Sequence, residues 1–447
     1  MRKRICIIGL IGAITIIGTG CGGSTSDDRS PAADYQIVTA SVEETNAGTE
    51  QGAAAVEQEM AEAGQEEQNV TESSQADADK AYTDWEAAPN ALGFVEEMKI
   101  GWNLGNTFDA YTDVNKPNEM AYETEWCKVT TTREMIDEVK AAGFETIRIP
   151  VSWHNHVSDD GNYTISEAWL NRVQEVADYA MDNDMYVIIN IHHDNSTSYM
   201  YPLQQYMEQS KSYVSSIWSQ VAARFADYDE HLIMEGLNEP RLVGTDSEWW
   251  LDLNNRECVE AVQCINELNQ LFVDTVRSSG GKNTSRYLLV PGYAASLQGA
   301  SNTYFELPQD IDGNENKILV EVHGYTPYNF ALQAAGESGS TDQWSADSAA
   351  ATADIDNMMD TLYELYVENG IGVVIDEFGA RDKGGNVQAR AEFASYYVSA
   401  ARARGITCCW WDNNSFAGGG ENFGIFHRAS CRFEYPQIVE GMMEAFQ

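Results

Sequence analysis

The chain has 447 residues, 43% hydrophobic and 22% charged, the balance of an ordinary globular protein. Its 70 acidic against 27 basic side chains give a formal net charge of −43. That charge excludes a nucleic-acid binder, which needs a concentrated basic surface to release counterions, and it opposes adhesion to anionic lipid headgroups; an uncharged partner fits best. The 11 Trp, 22 Tyr and 14 Phe suit a sugar-binding cleft, although core packing uses aromatics too.

The N-terminus reads as a targeting device. Arg2, Lys3 and Arg4 precede an apolar run over residues 5–17, shorter than the roughly 20 residues a spanning helix needs. Gly18-Thr19-Gly20 then leads into Cys21. This arrangement resembles a bacterial lipoprotein signal, in which the cysteine after the cut becomes the lipid-bearing N-terminus, although Gly18 stands where a Leu is common. The expectation is a leader over 1–20, a lipid on Cys21 as the one membrane attachment, and residence on the extracellular face of a bacterial membrane. Plain secretion and an uncleaved anchor are the other readings. Six cysteines remain: Cys127, Cys258, Cys264, Cys408, Cys409 and Cys431. With no C-x-x-C pair among them, mostly buried thiols are expected, with no structural zinc.

Residues 21–80 form the next region. From residue 22 they hold 14 acidic and 2 basic side chains, and Tyr35 is their one aromatic. A stretch so poor in apolar groups does not offset its ordering entropy, and its like charges repel. A disordered acidic linker is expected there, with a transient helix around 53–63 as the alternative.

From about residue 81 to 447 short apolar runs alternate with longer helical patterns, the signature of a parallel α/β sheet. Strands are predicted at 98–103, 144–150, 186–192, 232–239, 287–293, 318–325, 372–378 and 406–412. Helices are predicted at 131–142, 167–183, 213–226, 257–277, 354–369, 388–404 and 435–446. The first of these opens on Thr131-Thr132 with Glu134 and stops at Gly143, a cap-and-stop arrangement. Only the connection between the fifth and sixth strands looks poor in helix. Eight β/α units are the number that closes a (β/α)8 TIM barrel, whose working residues come from the C-terminal strand ends.

Nearly every predicted strand ends in groups that bind hydroxyls, move protons or stack on rings. Glu239 and Glu377 dominate. Cleaving an acetal needs an acid for the leaving oxygen and an opposed carboxylate at the sugar carbon. A gap of about 5–5.5 Å between them gives retention, and about 6.5–9.5 Å gives inversion; the sequence does not measure it. Arg148 is suited to hold a nucleophilic carboxylate ionised, and Tyr325 to donate to the same group. His323 and Tyr325, two apart, share a face. Asn238 is placed for a sugar 2-hydroxyl, His192 for substrate or for fixing the site, and Trp411 for a pyranose face. Trp410 and Trp411 alternate, so one packs outside the barrel. His193 reads either as a rim residue or as a support behind the residues that touch substrate, and Trp153, Trp249 and Trp250 as further sugar contacts or core. His192, His193, Asp194 and His323 also raise a metal-dependent barrel hydrolase, but such barrels usually carry His-x-His on the first strand, where this chain has Gly101-Trp102-Asn103. No metal or cofactor is expected.

Seven stretches in this order resemble glycoside hydrolase family 5, the cellulase family of retaining barrels: Gly101-Trp102-Asn103-Leu104-Gly105-Asn106-Thr107, Arg148-Ile149-Pro150-Val151-Ser152-Trp153, Ile191-His192-His193-Asp194, Gly236-Leu237-Asn238-Glu239-Pro240-Arg241, Val322-His323-Gly324-Tyr325, Glu377-Phe378-Gly379 and Trp410-Trp411-Asp412-Asn413. Their details are similar to the clostridial-type branch of endo-β-1,4-glucanases and xyloglucan-active enzymes. The resemblance implies Glu239 as acid/base, Glu377 as nucleophile, and Arg148, His192, Asn238, His323, Tyr325 and Trp411 around the cleaved sugar. It implies a β-1,4-linked plant polysaccharide as partner and gives no protein partner. Asp376 is a departure, because family members usually carry Gly there. On a regular strand its side chain points to the opposite face from Glu377. Glu239 is expected to have a raised pKa, as an acid needs. Xyloglucanase or β-mannanase activity on the same scaffold, and a non-catalytic surface glycan-binding lipoprotein, are the competing readings.

Overall fold

The computed structural model describes residues 91–418 and 420–446. The expected leader 1–20, the lipid site Cys21 and the linker 21–80 lie outside the described residues. Eight parallel strands close into a barrel in chain order: β1 (Ile100–Asn103), β2 (Thr146–Ile149), β3 (Tyr186–Asn190), β4 (Leu232–Glu235), β5 (Leu288–Pro291), β6 (Ile318–His323), β7 (Val373–Phe378) and β8 (Thr407–Trp410), which pairs back onto β1. Their residues are buried almost throughout, as expected of a parallel sheet covered on its outer face by helices.

The helices are α1 (Ala91–Met98), α2 (Arg133–Ala141), α3 (Glu167–Met181), α4 (Met207–Arg224), α5 (Arg256–Ser278), α6 (Leu297–Ser301), α7 (Tyr328–Ala331), α8 (Ala349–Leu365), α9 (Val387–Arg402) and α10 (Pro436–Ala445). The connection from β5 to β6 holds only a 3-10 turn at Tyr293–Ala295 and the five-residue α6, as its sequence suggests. The start of α4 is earlier than predicted. Met207, Ser210, Tyr213, Val214 and Ile217 share its buried face, and a serine in the second slot masks the periodicity. Asn255 caps α5 by accepting from Glu257 N–H. Among the described residues no helix is long and apolar enough to cross a membrane. The six cysteines among the described residues are free thiols, five of them buried.

The barrel interior has two parts. At its base Ile188, Ile233, Leu289, Leu319, Val374 and Cys409 pack against Ala91, Phe94, Val95 and Met98 of α1. Helix α1 therefore plugs that end, with Phe94 stacked on Tyr287 at 3.7 Å between ring centroids. One step further along the strands the inward residues turn polar: Asn103, Arg148, Asn190, Glu235, Glu321 and Asp376, all 0% exposed. This layer is the floor of the mouth.

Candidate active site

Arg148 organises the floor. Its Nε and Nη2 donate to Glu235 at 2.6 and 2.7 Å, a bidentate pair. Nη1 donates to Glu377 Oε1 at 2.6 Å and to Asn103 Oδ1 at 3.0 Å, and Nη2 also reaches Asn238 Oδ1 at 2.7 Å. One guanidinium thus ties β1, β2, β4 and β7 together, and its carboxylate neighbours hold it firmly cationic against the effect of burial. Tyr325 donates to the other oxygen of Glu377 at 2.8 Å.

The strand segments end earlier than their apolar runs. The β4 ladder stops at Glu235, so Glu239 projects from the following loop. Its Oε1 lies 2.8 Å from Nδ1 of His323, and Arg241 Nη1 lies 3.3 Å from Oε2 while stacking over Trp249 at 3.8 Å. A carboxylate oxygen of Glu239, a ring nitrogen of His323 and a carboxylate oxygen of Glu377 lie within 4.8 Å of one another. The two glutamates therefore face each other across one gap, short of the roughly 6.5–9.5 Å that an inverting pair uses to seat a water.

The expectation of a raised pKa for Glu239 does not hold. Burial pushes it up, but the hydrogen bond and charge of His323 and the charge of Arg241 overcome that and hold it at about 2. The counterpart is His323. Burial opposes its charge, yet Glu377, Glu239 and Asp376 raise it to about 9. The two groups titrate as a pair that holds one proton between them over the intervening range. The mobile proton belongs to the pair rather than to the glutamate alone.

Asp376 is also placed differently from expectation. The registers of β6 and β7 shift, between Glu321 and His323 on the β6–β7 side and between Ile375 and Phe378 on the β7–β8 side. Val374 already faces the interior, so Asp376, two residues on, faces inward by ordinary alternation, and the irregularity brings Glu377 inward beside it. Asp376 Oδ2 lies 3.4 Å from Arg148 Nε, and Oδ1 lies 3.5 Å from His323 Nε2. Asn103 Nδ2 donates to the Asp376 backbone carbonyl at 2.8 Å.

His192 sits on the opposite wall. The Asn190 side chain accepts from Val151 N–H at 3.0 Å, so its Nδ2 is the end that meets Glu235 and His192 Nδ1, at 2.7 and 3.0 Å. That makes Nδ1 of His192 an acceptor and leaves the proton on Nε2. Burial and the neighbouring His193 and Arg148 keep the ring neutral. Its plane is parallel to Trp411, 5.7 Å away between centroids. Gly105 is required beside that tryptophan, since a Cβ there would lie 2.8 Å from the indole. Trp410 faces the other way, fully buried against Phe378. Trp153 is core, its Nε1 bonded to the Asn190 carbonyl, and Trp250 is 64% exposed. Asp412 shapes the last loop by accepting from Ile425 and Phe426 N–H at 2.9 and 2.8 Å.

His193 lines the rim, with Tyr111 and Trp126 each 5.6 Å from its ring and 5.3 Å from each other. These two aromatics were not singled out from sequence, and neither were Asn103, Asn190, Glu235 or Arg241. Asp109, His192 and His193 bring ligand-type atoms within 4.8 Å. Asp109, however, already accepts from Asn106 and Thr107 N–H, and His192 Nδ1 is taken by Asn190, so the trio is wired into the protein.

A family model for cellulase (glycosyl hydrolase family 5) matches residues 108–417. The chain belongs to glycosyl hydrolase family 5. A solved family 5 lichenase from Caldicellulosiruptor sp. F32 is 60% identical, with 80% of this chain and 96% of that one covered and a TM-score of 0.79. A broad-specificity endoglucanase from Ruminococcus champanellensis, solved with bound cellotriose, is 42% identical over 79% of this chain and 98% of its own, with a TM-score of 0.73. Endoglucanase 1 of Ruminococcus albus is 41% identical over 78% of this chain and 80% of its own length. As a family 5 glycoside hydrolase, the chain carries its opposed glutamates at the C-terminal mouth of the barrel, where such folds place their chemistry.

Proposed function

We propose that this protein is an endo-acting β-1,4-glucanase that cleaves soluble cellulose derivatives and mixed-linkage glucan with retention of configuration. The observation that carries the reading is the Glu239–Glu377 pair, within 4.8 Å of each other through their nearest oxygens, with Arg148 and Tyr325 holding one and Arg241 the other, and His323 between them. Glu377, oriented by Arg148 and Tyr325, attacks the anomeric carbon. As its C–O bond forms, the glycosidic C–O bond breaks, and the leaving oxygen takes a proton from Glu239. His323 resupplies that proton through its 2.8 Å contact with Glu239. In the second step Glu239 and His323 take a proton from water, whose oxygen displaces Glu377.

The remaining residues position the sugar. Arg148 claims Asn238 Oδ1, so Nδ2 is the end presented to a 2-hydroxyl. His192 offers Nε2–H, and Trp411 offers a ring face. Tyr111, Trp126 and His193 extend an aromatic wall toward more distant sugars. The lichenase and endoglucanase relatives support a β-glucan substrate. In the same reading the chain works at the extracellular face of a bacterial membrane, held by a lipid on Cys21 beyond the acidic linker.

The test is product analysis on carboxymethylcellulose and barley β-glucan. A rapid fall in viscosity with β-anomeric new ends is expected. α-Anomeric ends, or release of single sugars without loss of viscosity, would contradict the proposal. Radiolabelled palmitate incorporation that disappears in Cys21→Ser tests the anchor.

A further inference from the structure

The polar floor carries more acid than its cations balance. Glu235, Glu321 and Asp376 bring carboxylate oxygens within 4.8 Å of one another in a fully buried layer, and Arg148 already spends its bidentate face on Glu235. Neither oxygen of Glu321 has a hydrogen-bond partner, and the same holds for both oxygens of Asp376 and for Nε2 of His323. Asp376 differs in its charged neighbours, because its two oxygens lie at ion-pair distance, without a hydrogen bond, from Arg148 Nε at 3.4 Å and His323 Nε2 at 3.5 Å. Burial pushes both acids up. Arg148 and His323 both oppose this at Asp376, whereas only Arg148 does at Glu321. Both acids stay above the usual carboxylate range, and of the two Asp376 is the better placed to carry charge, because it alone has two cationic groups beside it.

His323 is the group this arrangement serves. It is faced by Glu239 from the loop after β4, by Asp376 and Glu377 from β7, by His192 from the end of β3 and by Arg148 from β2, with Glu321 on its own strand. Its Nδ1 points at Glu239 Oε1, 2.8 Å away, and its Nε2 at Asp376. We propose that Asp376 is a positioning residue for the acid step, holding Nε2 of His323 from inside the barrel so that Nδ1 keeps a proton poised on Glu239. A glycine at this position would leave Nε2 facing an unfilled layer. The inference rests on Glu239 being the acid/base.

The test pairs Asp376→Asn and Asp376→Gly with two aryl β-cellobiosides. The 4-nitrophenyl leaving group needs more acid assistance than the 2,4-dinitrophenyl group. Loss of the Asp376 charge should move the alkaline limb of kcat/KM about one unit down, the size of a lost neighbouring charge, which is a tenfold drop on the limb. The loss should fall on the 4-nitrophenyl substrate and largely spare the 2,4-dinitrophenyl one. Equal loss on both substrates at every pH, or an unmoved limb, overturns the role of Asp376. Glu239→Gln run alongside separates the two claims: if it is leaving-group dependent while Asp376→Asn is not, only the Asp376 role falls, and if it affects both substrates alike, the acid assignment falls with it. Nitrogen NMR of histidine-labelled wild-type enzyme decides the matter independently of any variant. A His323 ring protonated on both nitrogens at pH 7 is expected, and a bare Nε2 contradicts the proposal.

Discussion

The two ends of the barrel interior are built from opposite materials. The base is aliphatic and aromatic, sealed by α1, and its one thiol, Cys409, is kept protonated by burial. One layer higher sit three acids, two amides and an arginine, equally buried. Burial of apolar groups stabilises the fold without cooperation from neighbours. Burial of charge is tolerated only when partners are in place, and removing one partner strands the rest. The base therefore serves stability and the mouth serves chemistry, and Arg148 is the seam between them.

That contrast is open to direct attack. The largest effect is expected for Glu377→Ala, which should lower kcat on mixed-linkage glucan by on the order of 10⁴-fold or more, as loss of a residue essential to a catalytic unit does, while the melting midpoint stays close to wild type. Glu239→Ala should lose about 10²–10⁴-fold on the same substrate, the range of general acid–base assistance. Arg148→Met should fail on both counts. It leaves Glu235 buried without its partner, for a destabilisation of about 3–5 kcal/mol in denaturant titration, together with loss of activity because Glu377 and Asn238 lose their anchor. Leu289→Ala, in the base, should destabilise by about 2–5 kcal/mol with kcat at 25 °C unchanged. A Leu289 variant that loses rate while keeping stability would erase the distinction between the layers. The smallest effect is on pH dependence. Because His323 is raised to about 9, the Glu239–His323 pair keeps its proton below that pH and loses it above. kcat/KM should then fall about tenfold per unit on the alkaline side, and His323→Gln should move that limb to lower pH, because the proton then rests on Glu239 alone.

Much of this organisation is legible in the chain. The eight strands announce themselves as short apolar runs between helical patterns, and their polar terminators mark the mouth. Arg148, Glu377 and Tyr325 meet as their residue types suggest. What the chain hides is register. Alternation counted back from Glu377 puts Asp376 outside the barrel, but Val374 shows that Asp376 is in the regular inward phase and that the irregular pairing beside β7 turns Glu377 in. Glu235 and Asn190 are concealed differently. They lie in phase with Ile233 and Ile188, so their inward direction was readable, but each precedes a more conspicuous residue on the same strand end. The low pKa of Glu239 depends on His323 approaching from a strand 84 positions away, and no local pattern records that distance.

The central claim is that Glu377 forms a covalent bond to the sugar while Glu239 and His323 handle the proton. Incubation with an activated 2-deoxy-2-fluoro-β-cellobioside, followed by proteolysis and mass spectrometry, tests it most directly. The account predicts one added fluorocellobiosyl group on the peptide containing Glu377, located on that residue by fragmentation. A label on Asp376 or Glu239, or time-dependent turnover of substrate with no covalent adduct, would contradict it.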